Sequence, residues 1–154
     1  MAETVEQRLA ALNLQLPSPA APAANYVPYL IDGSRLYVSG QLPMGPDGLA
    51  FAGRVGAELD LDQAQQAARL CALNILAQAK AALGAFERIE QCLKLGGFVN
   101  ALAGFTDHPK VVNGASDLMV AALGDRGRHT RFAVGANGLP LGAAVEVDAL
   151  FAIA

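Results

Sequence analysis

By residue type and spacing, Arg131 and Glu146 are the pair in this chain most able to do chemistry. Arg131 opens the run R-F-A-V-G-A, and Glu146 is the second residue of V-E-V-D-A-L-F-A-I, with N-G-L-P between the two segments. At strand period Arg131, Ala133 and Gly135 share one face, while Val145, Val147, Ala149, Phe151 and Ile153 form an apolar face from which Glu146, Asp148, Leu150 and Ala152 are excluded. Asn137 and Gly138 both tolerate positive φ, so the two segments are expected to close as a hairpin with Arg131 directly opposite Glu146. Two readings of that pair stand side by side. It is an ion pair buried in an interface, or it is a site in which a guanidinium grips a carboxylate ligand bidentately and Glu146 holds a water or takes a proton. Asp148, two residues on, is expected at the rim.

Other constellations are weaker. The run R-G-R-H-T-R at 126–131 reads as a solvated basic loop, and it lacks the interleaved aromatics of an RNA patch. No metal site is expected, because two His and two Cys occur without C-x-x-C or H-x-x-x-H spacing. There is no P-loop, no G-x-G-x-x-G after a strand and no G-x-S-x-G.

The elements that must position these residues follow from periodicity and punctuation. Thr4 and Gln7 have capping-box spacing, which predicts a short helix over Thr4–Leu14 stopped by Pro17. P-S-P-A-A-P-A-A at 17–24 is expected to run extended. Tyr26–Ile31 and Arg35–Gln41 read as a hairpin around Asp32-Gly33-Ser34, and the turn-rich stretch 42–58 has room for a second, small one. Asp60 with Gln63, or Asp62 with Gln65, caps a long helix that ends at Gly84. A strand over Ile89–Ala103 is expected to bulge at Gly96-Gly97, and Asp107 with Pro109 opens a second helix that Gly124 ends. The order β-β-α-β-α-β-β predicts an α+β fold in which two main helices cover one sheet face. The opposite face, expected to carry Ala133, Gly135, Leu150, Ala152 and Ala154, is too apolar to be wet, which implies a homo-oligomer packed sheet inward.

A chain of 154 residues suits one domain, here 1–154 with 1–16 as an N-terminal helical extension. No apolar run reaches the ~18 residues of a membrane span, and Met1–Glu6 lacks the basic-then-apolar order of a secretory signal. Cys71 and Cys92 lie in apolar surroundings that suit buried thiols in a reducing cytoplasm, although their number alone leaves a disulfide open. The net charge of −3 argues against a dedicated nucleic-acid binder.

Four spaced motifs together resemble the RidA/YjgF family of enamine/imine deaminases. They are Val38-Ser39-Gly40-Gln41, Thr106-Asp107, Val112-Asn113, and Arg131 eight residues before Leu139-Pro140 with Val145-Glu146-Val147 beyond. The resemblance spans about residues 16–154. It implies a chorismate-mutase-like fold with a mixed sheet, a homotrimer with clefts between subunits, and no metal or organic cofactor. By position it implies that Arg131 holds the substrate carboxylate and that Glu146 positions the attacking water. Tyr26, Ser39, Gly40 and Asn113 would line the pocket. The implied reaction is hydrolysis of a small 2-imino acid, or its enamine tautomer, to a 2-keto acid and ammonia. A non-catalytic trimeric binder of small carboxylates is the other reading. The chain departs from the family pattern at Ala133, where many members carry cysteine, and at Asn25-Tyr26-Val27 and His129-Thr130-Arg131.

Overall fold

The computed structural model describes residues 2–22 and 24–154. Ala23, within the stretch expected to run extended at 17–24, lies outside the described residues. The first helix, α1 (Val5–Ala11), carries the anticipated capping box: the Thr4 hydroxyl accepts from the Gln7 amide and the Gln7 side chain caps Thr4 in return. It ends before Leu14, because the chain turns through Asn13 at φ 59°.

Strands β1 (Tyr29–Asp32) and β2 (Arg35–Gln41) pair as an antiparallel hairpin around Gly33-Ser34, with Asp32 opposite Arg35. Tyr26 therefore falls before the first strand rather than in it. The small hairpin expected within 42–58 is present as β3 (Met44–Gly45) and β4 (Gly48–Leu49). Helix α2 (Leu61–Leu83) starts from an Asp60/Gln63 capping box and stops at Gly84 in the left-handed region. Strand β5 (Ile89–Asn100) follows, then α3 (His108–Leu123), β6 (Thr130–Ala136) and β7 (Val145–Ile153).

The main sheet is mixed, in the order β1-β2-β7-β5-β6, and α2 and α3 cover one of its faces. The core between these layers includes Leu36, Val38, Leu95, Val99, Val145, Val147 and Phe151 from the sheet and Cys71, Ile75, Val111, Val112 and Met119 from the helices. Both cysteines are buried free thiols. Burial pushes the Cys71 thiol well up and the Cys92 thiol up to about 12. Among the described residues no helix is long and apolar enough to cross a membrane.

Three further expectations are corrected. β6 and β7 do not form a hairpin: β6 pairs in parallel with β5, and β7 lies between β5 and β2. The β5-α3-β6 crossover makes that parallel pairing. The chain after β6 then turns through Pro140–Gly142, with Leu141 at φ 59°, and crosses the end of β5. There the Asn100 amide donates to the Gly53 and Ala143 carbonyls. Second, β5 is irregular between Ile89 and Gln91 and between Cys92 and Lys94, not at Gly96-Gly97. Those glycines serve close approach. A Cβ on Gly96 would sit 2.4 Å from an Asp148 carboxylate oxygen, and one on Gly97 would sit 2.6 Å from Val112. Third, the Asp107 side chain makes no cap hydrogen bond and pairs with Lys110 at 3.6 Å instead.

Candidate active site

Arg131 sits on the edge strand β6, in register with Leu95 of β5. Its side chain turns toward α3, not toward the uncovered face. One terminal nitrogen, Nη1, donates to Asn113 Oδ1 at 2.8 Å and to Ser116 Oγ at 3.1 Å, while Nη2 donates to the Pro109 carbonyl at 3.3 Å. Residues 109, 113 and 116 recur at helical spacing, so one face of α3 presents three acceptors in a row. A guanidinium has five N–H groups. These bonds engage three of them, leaving Nε–H and one Nη2–H on adjacent nitrogens, the fork that matches a carboxylate.

Behind this contact lies His129, which shares Arg131's face at strand period. Its Nε2 is 2.8 Å from Ser116 Oγ and its Nδ1 is 2.6 Å from the Gly127 carbonyl. The basic run at 126–131 is therefore built into the fold rather than solvated. Arg126 donates to the Phe86 and Ile89 carbonyls, and of the run's basic residues only Arg128, paired with Asp125, lies in the open.

Glu146 lies elsewhere. It is on the uncovered face of β7, opposite Phe98, so it neither faces nor pairs with Arg131 in the same chain. Its carboxylate rests over Gly40: a Cβ there would be 2.1 Å from Oε2. Burial raises its pKa above the ordinary carboxylate value, and the Asp148 charge raises it further. Asp148 is raised by burial too, with the Gly96 backbone hydrogen bond and then Lys94 acting against the shift. Ser39 donates through Oγ to the Val27 carbonyl at 2.8 Å and through its amide to the Pro28 carbonyl at 2.9 Å. These bonds bring the segment carrying Tyr26 to the end of β2. Tyr26, Pro28, Gly40, Gln41, Met44 and Leu141 line a cavity of ≈140 Å³.

The sequence-derived residues thus fall into two groups. Arg131 and Asn113 meet at the β6 edge, while Tyr26, Ser39, Gly40 and Glu146 gather near β2 and β7. With β7 and β5 between β2 and β6, and strands about 4.8 Å apart, β2 lies roughly 14 Å and β7 roughly 10 Å from β6 across the sheet. Ser116, Pro109 and His129 were not anticipated. The helical spacing of 109, 113 and 116 and the strand parity of 129 with 131 carried the signal. A cavity of ≈750 Å³ between the segment after α1, the β3–β4 hairpin and α2 has no titratable lining residue and offers no proton chemistry. Among the described residues no three His, Cys, Asp or Glu side chains form a possible metal set.

The chain is similar to known proteins over nearly its whole length. The family described as "YjgF/chorismate mutase-like, putative endoribonuclease" matches residues 6–153. Protein TCP17 of Trypanosoma cruzi is 49% identical over 147 residues, covering 95% of this chain and 92% of its own. The crystal structure of Atu1372 from Agrobacterium tumefaciens, a protein of unknown function, is 50% identical with a TM-score of 0.92 over 97% of this chain and 92% of that one. RidA from the Antarctic bacterium Psychrobacter sp. is 27% identical with a TM-score of 0.60, over 88% and 94%.

Proposed function

The chain belongs to the YjgF/chorismate mutase-like family, and from that membership we propose that it hydrolyses small 2-imino acids, or their enamine tautomers, in clefts formed where copies of the chain meet. The observation that carries this reading is the state of Arg131. Three of its N–H groups are fixed by α3 and an adjacent pair is left to receive a carboxylate. The other requirement, a carboxylate of raised pKa, is met by Glu146 at the far group of residues. One chain keeps them apart, so a neighbouring copy supplies the missing half. A homotrimer, the assembly the family resemblance implies, does this in a ring.

In this reading Arg131 binds the substrate carboxylate and orients the adjacent C=N carbon. An enamine first takes a proton from solvent at its terminal carbon and becomes the iminium ion, the protonated imine. Glu146 accepts a proton from water as the water oxygen bonds to the iminium carbon and the C=N π pair moves to nitrogen, giving a neutral carbinolamine. Glu146 passes that proton to nitrogen. A hydroxyl lone pair then forms the C=O bond as the C–N bond breaks with its electron pair going to nitrogen, Glu146 takes the hydroxyl proton, and the keto acid and ammonia leave. An imine carbon is already electrophilic, so orientation and one proton acceptor suffice. The chemistry calls on no cofactor.

The test is ammonia release from freshly generated 2-iminopropanoate by wild type and Arg131→Ala. Loss of turnover in the variant is expected; equal rates refute the role given to the arginine. A second reading, a trimeric binder of small carboxylates, is favoured by Ala133 at the position where many family members carry cysteine. Saturable binding of a keto acid without turnover would select it. Ribonuclease action, which the family description names, has less support: the net charge is −3 and most of the basic run is tied up internally.

A further inference from the structure

We propose that Ser116 and His129 form a directional hydrogen-bond relay that sets the position of Arg131, making both of them positioning residues for carboxylate recognition. This inference rests on the role proposed for Arg131. The direction of the relay follows from donor and acceptor types. The Gly127 carbonyl can only accept, so the His129 nitrogen 2.6 Å away, Nδ1, carries the proton. In the neutral ring Nε2 is then an acceptor, and the hydroxyl 2.8 Å from it, Ser116 Oγ, must donate. With its proton committed to histidine, Ser116 Oγ turns lone-pair density to Arg131 Nη1 at 3.1 Å. The sequence Arg131 N–H to Ser116 O–H to His129 Nε2 is therefore polarised along its length, and each bond strengthens the next.

Asn113 and Pro109 also hold the guanidinium, but among the described residues neither is backed by a second side chain as Ser116 is by His129. Without the histidine acceptor the serine hydroxyl is free to bond a carbonyl one turn back in its own helix. The arginine then loses a fixed partner, and the fork offered to a carboxylate is no longer pre-set. The relay has a location suited to this task, since His129 immediately precedes the edge strand that carries Arg131, two residues on, and Ser116 faces them from α3.

The experiment uses five variants of the full chain. Ser116→Ala and His129→Asn break the relay. Ser116→Thr keeps the hydroxyl, and His129→Gln keeps an acceptor near the place of Nε2. Arg131→Ala serves as reference. His129→Asn retains a donor near the place of Nδ1, so it preserves the tether to Gly127 while removing the acceptor. The first readout is the Nε–Hε signal of Arg131 in protein with 15N-labelled arginine, which reports guanidinium order without turnover. It is expected to be sharp in wild type, Ser116→Thr and His129→Gln, and broadened in Ser116→Ala and His129→Asn. The second readout is kinetics with 2-iminopropanoate, where the relay-breaking variants should raise KM about tenfold with kcat little changed, the size expected for one charged hydrogen bond. An unchanged arginine signal in Ser116→Ala and His129→Asn overturns the relay, as does rescue by asparagine but not by glutamine, which would make His129 only a loop tether. If wild type shows no turnover, the function proposed above fails, and the arginine signal still decides the relay. If Arg131→Ala alone loses turnover while both relay-breaking variants keep wild-type KM, the relay fails and the role of Arg131 stands.

Discussion

At the scale of single residues, Glu146 and Gly40 form a unit that trades stability for chemistry. Glu146 has its pKa raised above 4.5 by burial and by Asp148. Between 4.5 and that raised value the folded chain holds a proton the unfolded chain releases, so the contribution of this group to stability is fullest below 4.5 and falls as pH rises through the window. Glu146→Gln removes the ionisation. Its melting temperature should gain on wild type as pH rises from about 4 to about 8, and a constant difference would refute the burial argument. In the same variant turnover should fall about 10²-fold, the low end of general-base effects. Gly40→Ala tests the geometry. The atoms nearest to the added methyl all belong to the Glu146 side chain, which can swing away. We expect a fold of near wild-type stability by thermal melting, with turnover reduced about tenfold or more because the carboxylate is displaced. Wild-type turnover in Gly40→Ala would show that the position of Glu146 does not matter. Residue type alone pointed to Arg131 and Glu146. That they lie on opposite faces was illegible, because strand parity gives each strand two faces and cannot say which one the helices cover.

At the scale of elements, the close approach of α2 and α3 depends on Gly114. A Cβ there would lie 2.1 Å from the Gln65 carbonyl oxygen. Helix propensity favours Gly114→Ala by about 1 kcal/mol, but backbone cannot move aside as a side-chain tip can, and overpacking of this kind costs about 1–3 kcal/mol. The clash should win, giving a lower denaturation midpoint at unchanged m-value; a stabilised variant would contradict the packing described here. Boundaries marked by local chemistry were legible in sequence: the α2 cap to within Asp60 or Asp62, the Gly84 stop, the Gly33 turn and the small hairpin within 42–58. Pairing was not. Asn137-Gly138 carries the signature of a tight hairpin, yet β7 inserts between β5 and β2. The order of strands is decided by which apolar faces the sheet can bury together, and Val145, Val147 and Phe151, all fully buried, belong at its centre.

At the scale of the molecule, the sheet face opposite the helices remains apolar. Leu30, Tyr37, Phe98 and Val134 are 58%, 47%, 38% and 43% exposed, and Phe98 stacks edge-on against Phe132. Phe132 and Val134, rather than the anticipated Ala133 and Gly135, contribute β6's share of this face. The chain should run as an oligomer in size-exclusion chromatography with light scattering, and Val134→Glu should shift it toward the monomer. A monomeric wild type would remove the cleft and the chemistry with it. The separation of the two groups of site residues within one chain has a genetic consequence. Arg131→Ala and Glu146→Gln, each strongly impaired alone, damage different halves of every cleft. Refolded or co-expressed together, they should complement one another, since about a quarter of randomly assembled clefts in a ring would join two intact halves.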